Sequence, residues 1–218
     1  MPKVLVIAYY FPPLGWSGVQ RTVKFVKYLP EFGWEPVVAT VGETRFSIKD
    51  TTMDEEIPAS TEVIRVDDVF LKKFTDELKE KLISFLEPVF TLVEDQDLIN
   101  KYMQKMDDLL EQLRQTVFIP DGCILWANNL LKEIGDQINM EQIDAIYTTS
   151  GPYSAHLVGY YLKERYDLPW VADFRDEWTT NPYIEYAPTE ARFHLEKVLE
   201  RKIIENADGI IANTPLAL

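Results

Sequence analysis

The sequence predicts an α/β fold: an open parallel sheet with helices on both faces and one α-helical insertion. Short, nearly continuous apolar runs alternate along the chain with segments of helical apolar periodicity. Such runs are typical of strands that are buried on both faces of a parallel sheet. Several of them end in turns rich in glycine, proline or acidic residues, where strand-to-helix loops are expected.

The N-terminal residues predict a βαβ unit. Residues 3–9 are a predicted strand, and a turn with two prolines and two glycines follows at 10–18. Ser17 is a suitable N-cap for a helix that ends near Pro30 and Gly33. Residues 34–40 are the second strand, joined to the first by a crossover whose default hand is right.

The middle of the chain predicts a helical insertion at about 68–118. A polar stretch and a short strand at 62–66 precede it. Two amphipathic patterns then predict two helices, the first broken near Pro88, whose apolar sides pack against the sheet. Their many acidic residues are interpreted as solvated surface. The apolar positions are Phe70, Leu71, Phe74, Leu78, Leu82, Phe85 and Val89, then Leu98, Tyr102, Met106, Leu109 and Leu113.

The C-terminal part returns to alternating strands and helices. Helices are predicted from Ile124 to Ile138, at about 153–166 and from Thr189 to Ile203, with strands at 144–149, 168–172 and 207–214. Because the chain ends just after a strand, whose neighbouring face would be left uncovered, we expect a partner domain after Leu218.

Composition disfavours several classes of function. The chain has 36 acidic against 22 basic residues and no Lys/Arg cluster, so nucleic acid binding is not expected. There is no secretion signal and no run of 18 apolar residues, so a cytoplasmic protein is expected. Peripheral contact with the inner face of a membrane is left open. Cys123 is the only cysteine, and His156 and His194 belong to no cluster with metal-ligand spacing, so no metal is expected.

Three strand-to-helix turns, at 11–18, 149–153 and 173–179, are predicted to meet at one edge of the sheet. The third is rich in charge and is either a site or a place where Arg175 pairs with a neighbouring acid while Trp178 covers the core. In the first, Gly15 and Gly18 lack the spacing of a dinucleotide or P-loop motif, yet their N–H groups could hold a phosphate. His156 is either a packed side chain or a hydrogen-bond partner at this edge.

An ordered set of segments resembles the N-terminal half of GT-B glycosyltransferases of family 4. It covers nearly the whole chain except the helical insertion. The segments are YYFPP at 9–13 with Gly15, Gly18 and Arg21, GWEPVV at 33–38, Pro120-Asp121 with Trp126, TSGPYSAH at 149–156, LPWVADFRDEW at 168–178 and ADGIIANT at 207–214.

The resemblance implies a Rossmann-like acceptor-side domain spanning residues 1–218, with the donor-binding C-terminal domain absent from this chain. Such enzymes move a sugar from a nucleotide-sugar donor to a sugar or lipid-linked acceptor with retention, without a metal or other cofactor. Polysaccharide or glycoconjugate biosynthesis is the implied setting. The matching donor-phosphate loop is Gly15, Trp16, Ser17 and Gly18. The acceptor-binding positions at the matching turns are Ser150, Gly151, Tyr153, His156, Asp173 and Trp178.

One position departs from the family pattern. Many members carry a histidine where this chain has Arg175, which stays protonated and therefore cannot be a general base. We assign Arg175 an electrostatic role and Asp176 the orientation or deprotonation of an acceptor hydroxyl, unless the departing phosphate takes that proton. Two alternatives remain: a non-catalytic α/β binding module, and a sugar-phosphate epimerase-like domain.

Overall fold

The computed structural model describes residues 1–15, 17–44, 48–68, 71–181 and 189–214, with the backbone alone for 71–75. Its six strands are β1 (Lys3–Ile7), β2 (Glu35–Val41), β3 (Glu62–Val66), β4 (Ala145–Thr149), β5 (Trp170–Phe174) and β6 (Gly209–Ala212). The helices are α1 (Ser17–Tyr28), α2 (Leu71–Phe90), α3 (Gln96–Val117), α4 (Ile124–Gln137), α5 (Ser154–Tyr166) and α6 (Glu190–Asn206). All six strands pair in parallel, so the predicted fold class is confirmed.

The strand order β3-β2-β1-β4-β5-β6 places a topological switch between β1 and β4. The chain leaves β1 towards β2 on one side and later returns to the other side, so the loops after β1 and β4 diverge there. Ile7 pairs with Thr148, and Thr149 pairs with Asp173, which aligns the carboxyl ends of β1, β4 and β5. Ligands of open α/β sheets bind in the crevice at such an edge.

The core is the apolar filling between the sheet and its helices. Trp126, Trp170, Leu5 and Ile7 are fully buried in it. Helix α5 packs on β4 and β5 and also against α4. Burial of large side chains of this kind stabilises the folded state by roughly 1.5–3 kcal/mol each.

The helical insertion is a hairpin of α2 and α3, and it differs from the prediction in two ways. Helix α2 runs through Pro88 without a break. Pro88 and Ser84 are exposed, so water can satisfy the carbonyl of Ser84 that proline leaves without a helical donor.

The predicted apolar faces of this hairpin do not pack against the sheet along their length. Phe85 is 79% exposed and Leu109 is 65% exposed, whereas Met106 and Leu110 are the buried side chains of the described part of the hairpin. The predicted packing of the insertion against the sheet therefore does not extend to Phe85 and Leu109. Within the described residues, no helix combines the length and apolarity needed to cross a membrane.

Candidate functional site

The carboxylate of Asp173 is the buried hydrogen-bonding centre beneath the crevice edge. Asp173 is the fourth residue of β5 and is fully buried, because the strand runs to Phe174 rather than ending at residue 172. Arg21 of α1 donates two hydrogen bonds to it, from Nε at 2.9 Å and Nη2 at 2.7 Å. Tyr147 and Thr149 donate hydroxyl hydrogen bonds to the same carboxylate, at 2.6 and 3.1 Å. Asp173 thus positions α1 over the sheet edge, and direct acceptor contact by it stays a prediction.

Burial and the neighbouring carboxylate affect the hydroxyl of Tyr147. Desolvation raises the pKa of Tyr147, and the negative charge of Asp173 raises it further. The phenol therefore stays protonated and acts as a hydrogen-bond donor. Arg21, Tyr147 and Thr149 together satisfy the buried charge of Asp173. Without such partners, a charged carboxylate buried at this depth would be strongly unfavourable.

Arg175 lies against backbone from both of the other turns. A Cβ atom placed on Gly18 would overlap Nη1 of Arg175, and one placed on Gly151 would come within 2.8 Å of Nη2. Gly151 also has a φ of 31°, a conformation that side chains disfavour. The two glycines therefore leave the room that the guanidinium fills. The three turns meet at one edge, as the sequence predicts.

Among the described residues, two of the nitrogen atoms of Arg175 have no hydrogen-bond partner and are available for a ligand. Its side chain is 18% exposed, and Nε lies 3.4 Å from Oδ2 of Asp176, a weak ion pair. Nη1 and Nη2 donate no hydrogen bond to any part of the chain that the structure describes. They lie beside Gly18 in the first turn of α1, where the positive end of the helix also favours an anion.

Ser150 ties the second turn to the third. Its hydroxyl accepts a hydrogen bond from the backbone N–H of Arg175 at 3.0 Å, and its own N–H donates to the carbonyl of Asp173 at 2.9 Å. The side chain of Asn213, after β6, donates to the carbonyl of Arg175. These contacts hold the backbone of Arg175 rigidly. Asp176 keeps a 56% exposed side chain, so it is accessible from the crevice.

Tyr153 and Trp178 form a buried stack behind this edge. Their rings are parallel within 8°, with centroids 4.7 Å apart, and Trp178 is fully buried. Nε1 of Trp178 donates to Oε2 of Glu196 at 3.2 Å. Trp178 thus covers the core, as one of the two sequence interpretations held. Acceptor contact by Trp178 or Tyr153 stays a prediction that their burial does not favour.

His156 is packed inside the fold. It is fully buried, and its Nδ1 lies 2.7 Å from the hydroxyl of Thr148, which also accepts from Nε1 of Trp170 at 2.9 Å. Burial lowers the pKa of His156 to about 3, so the ring is neutral near pH 7. Nε2 has no hydrogen-bond partner among the described residues. This environment matches the packed-histidine interpretation, and contact with an acceptor stays a prediction.

The predicted donor-phosphate loop follows β1. The backbone N–H of Gly15 donates to the carbonyl of Ile48 at 3.0 Å, and the exposed Ser17 begins α1. Trp16 lies outside the described residues. In the part of the chain that the structure covers, no group of three or more His, Cys, Asp or Glu side chains is arranged to hold a metal ion.

Two further acids shape the site without having been predicted from the sequence. Asp121 accepts from the backbone N–H of Ser154 at 3.0 Å and its hydroxyl at 2.6 Å, and so orients the first turn of α5. Glu196 is fully buried and binds Arg192 at 2.6 Å as well as Trp178. The spacing of Arg192 and Glu196, four residues apart on a helix, was the sequence signal for that ion pair.

Comparison with known proteins places this arrangement in a wider fold. No protein-family model matches the sequence, and no curated protein matches it either. The solved structure of sucrose-phosphate synthase from Thermosynechococcus elongatus is similar, with a TM-score of 0.54 and 12% identity over 99% of this chain and 43% of that one. The structure of Phytolacca americana UGT2 complexed with UDP-2fluoro-glucose and pterostilbene is also similar. Its TM-score is 0.52 and its sequence identity 12%, over 100% of this chain and 48% of that one.

The chain has the fold of one half of a GT-B protein. It spans less than half the length of either of these solved chains. Identity at this level establishes the fold alone. In this half GT-B fold, the described part of the crevice edge brings together the guanidinium of Arg175, the accessible carboxylate of Asp176 and the N-terminus of α1, a set suited to holding an anion beside a polar ligand.

Proposed function

We propose that this chain is the acceptor-side half of a family 4-like glycosyltransferase. The enzyme would move a sugar from a nucleotide-sugar to a sugar or lipid-linked acceptor, with retention, in polysaccharide or glycoconjugate biosynthesis. It would work in the cytoplasm, at the inner face of a membrane where the acceptor is lipid-linked. Two kinds of observation support the proposal: the half GT-B fold and the chemistry of the crevice edge.

The observation that carries the proposal is the place of the Arg175 guanidinium. It sits between Gly18 and Gly151, at the positive end of α1, and its two Nη atoms are uncommitted within the described chain. Arginine stays protonated and can grip two oxygen atoms of a phosphate at once. Negative charge develops on the donor diphosphate as the glycosidic bond breaks, and a fixed cation in a partly buried site stabilises that charge.

We assign the nucleotide itself to a further, donor-side domain. UGT2 was solved in complex with UDP-2fluoro-glucose and pterostilbene, and this chain corresponds to 48% of that protein. A shared crevice of two halves needs both for turnover, so residues 1–218 alone would bind ligands without completing transfer. The chemistry needs no metal if Arg175 and the α1 N-terminus supply the charge compensation.

Asp176 is our candidate for orienting the acceptor hydroxyl. Its carboxylate is accessible, since the side chain is 56% exposed, and its only described partner is Arg175 at 3.4 Å. A carboxylate beside the reacting hydroxyl can accept its proton directly, or hold it while the departing phosphate takes the proton. Replacement of Asp176 by Asn separates these roles, because Asn preserves hydrogen bonding and removes the base.

The test is release of nucleoside diphosphate from a panel of nucleotide-sugars. A polypeptide that contains residues 1–218 together with its donor-side domain should release nucleoside diphosphate from one donor, and residues 1–218 alone should not. Turnover by the isolated half would refute the division of labour. Absence of turnover with every donor would instead support the non-catalytic binding module.

A further inference from the structure

A cavity lined by both polar and apolar residues lies on the far side of the β1 loop from Arg175. It has a volume of about 300 Å³ and opens at the carboxyl ends of β2 and β3, with Gly42 and Arg65 in its wall. In the sheet, β1 stands between this cavity and β5, which carries Arg175. The cavity therefore shares the crevice edge without being part of the guanidinium cradle at Gly18 and Gly151.

The wall nearest the β1 loop is built by a short antiparallel pairing. The backbone N–H of Gly15 donates to the carbonyl of Ile48 at 3.0 Å, and the backbone N–H of Asp50 donates to the carbonyl of Pro13 at 2.9 Å. Leu14 and Lys49 form an isolated β-bridge between them. The pairing fixes Lys49 beside the proposed donor loop, where its side chain lines the cavity.

Arg65 is held in place by backbone carbonyls rather than by an acid. Nη2 donates to the carbonyl of Pro12 at 2.6 Å, and Nη1 lies 3.4 Å from the carbonyl of Val41. Partial burial lowers the pKa of Arg65, although a guanidinium remains protonated at any physiological pH. These carbonyls orient the cation without forming an ion pair with it, while the negative charge of Asp54 acts on it from nearby.

Charge around the cavity is unusual for this protein. The whole chain carries a formal net charge of −14, yet neither Arg65 nor Lys49 forms an ion pair with any carboxylate that the structure describes. Glu43, also in the wall, is exposed. Asp67, close by, accepts a hydrogen bond from the backbone N–H of Glu43 at 2.7 Å. Arg65, which two carbonyls orient, and the exposed Lys49 outnumber Glu43 among the charged residues that line the cavity, and two such cations attract a small anionic group.

We propose that this cavity binds a phosphate or carboxylate group, with Arg65 and Lys49 as its ligands. This proposal rests on the proposed glycosyl transfer: the acceptor is an anionic molecule whose charged group enters this cavity. The reacting hydroxyl of the acceptor then points across the β1 loop towards Asp176. The donor phosphates and the acceptor charge would occupy separate basic sites on either side of one loop, which keeps two anionic substrates from competing for Arg175.

The experiment is a titration of the chain with inorganic phosphate, followed by amide NMR shifts. Phosphate should shift the amides of Gly42, Glu43 and Lys49, and separately those of Gly18 and Gly151. Arg65→Met should weaken phosphate binding at the first group at least tenfold and leave the second group unchanged. Arg175→Met should do the reverse. Lys49→Met, at an exposed position, is a second variant with the expected effect on the first group alone.

A matched control and a second anion complete the design. Arg114→Met removes a guanidinium paired with Glu111 on α3 and should change neither group of shifts. Acetate that reproduces the shifts at Gly42 and Glu43 supports a carboxylate-bearing acceptor, whereas shifts produced by phosphate alone support a phosphorylated one. Absence of shifts at Gly42, Glu43 and Lys49, or their persistence in both Arg65→Met and Lys49→Met, would overturn the proposal.

These outcomes are separate from the fate of the proposed function. Phosphate binding in the cavity is measured on the isolated chain and needs no turnover. Sugar transfer to neutral acceptors alone would overturn the anionic acceptor while leaving glycosyl transfer intact. Binding in the cavity by a protein that turns over no donor would uphold the anion site and contradict the enzyme.

Discussion

The guanidinium of Arg175 occupies the space that a side chain on Gly18 would need. A Cβ on Gly18 would overlap Nη1 of Arg175, although the two residues come from turns that follow different strands of the sheet. The relation joins the β1 loop to the loop after β5 through a single cation. Any side chain at position 18 therefore acts on the candidate anion site directly.

Gly18→Ala should displace Arg175 with little loss of stability. The obstructing atom is the far end of a flexible side chain, and alanine favours a helix over glycine by about 1 kcal/mol, so the free energy of unfolding should change little. The proposed nucleoside diphosphate release should fall at least tenfold, about 1.4 kcal/mol in transition-state stabilisation, because the guanidinium moves. Urea unfolding and steady-state kinetics measure the two effects.

A second helical glycine provides the control for that variant. At Gly135 in α4, a Cβ would meet only the hydroxyl of Tyr166 at 3.6 Å, an ordinary contact. Gly135→Ala should keep or raise stability without changing activity. Equal activity in the two variants would contradict the placement of Arg175 against Gly18.

Asp173→Asn should strongly destabilise the fold. The carboxylate is fully buried and accepts two hydrogen bonds from Arg21, and removing one partner of a buried ion pair typically costs about 3–5 kcal/mol. Urea unfolding of both proteins measures the loss. Glu111→Gln, which breaks an exposed pair with Arg114 on α3, should cost less than about 1 kcal/mol. Similar losses in the two variants would show that the Asp173 network is not a structural anchor.

His156 should make stability depend on pH on the acid side. Its folded pKa is lowered to about 3 from 6.5 by burial, so the stability that it contributes is complete above pH 6.5 and is lost as pH falls towards 3. Within that window, the contribution of His156 to the slope of the unfolding free energy with pH approaches about 1.4 kcal/mol per pH unit. His156→Phe removes the titrating ring, so unfolding measured between pH 4 and 6.5 should show a shallower slope, by about that amount.

The other histidine of the chain is the control. His194 is exposed on α6, so His194→Gln is the matched variant against which the slope measured for His156→Phe is compared. An unchanged slope in His156→Phe would mean that the ring titrates normally. The packed environment described for it would then be incorrect.

The α2–α3 hairpin should tolerate polar substitution at its tip. Leu92 is 84% exposed, so Leu92→Ser should change the free energy of unfolding by less than about 0.5 kcal/mol. Leu110 on α3 is only 9% exposed. Leu110→Ser should therefore lower the free energy of unfolding several times more, because buried apolar surface is lost. Thermal unfolding of the two variants measures the difference. A large loss in Leu92→Ser would show that this tip is covered in solution.

The sheet and the meeting of its three turns could be predicted from the sequence because both follow from parallel strand ends sharing an edge. The burial of Asp173 could not. The apolar run ends at Ala172, whereas the strand continues through Asp173 to Phe174, since Arg21, Tyr147 and Thr149 together satisfy the buried carboxylate. Those partners come from α1 and β4, far away in sequence, so local pattern carries no trace of them.

The same limit applies to Trp178 and to the hairpin. Trp178 follows a charged turn, a position typical of a surface site, yet Glu196 of α6 accepts its N–H inside the fold. Apolar periodicity predicted helices α2 and α3 correctly. It could not predict which elements cover their faces, because periodicity describes one helix and packing depends on two surfaces.

The most direct test of the account is the effect of removing the Arg175 guanidinium on turnover. In a polypeptide that carries both halves, Arg175→Met should lower kcat for nucleoside diphosphate release by about a hundredfold or more, with an unchanged urea midpoint. Arg201→Met, at an exposed position on α6, should match the unsubstituted polypeptide. A kcat for Arg175→Met equal to that of Arg201→Met would contradict the assignment of this crevice edge to the donor phosphates.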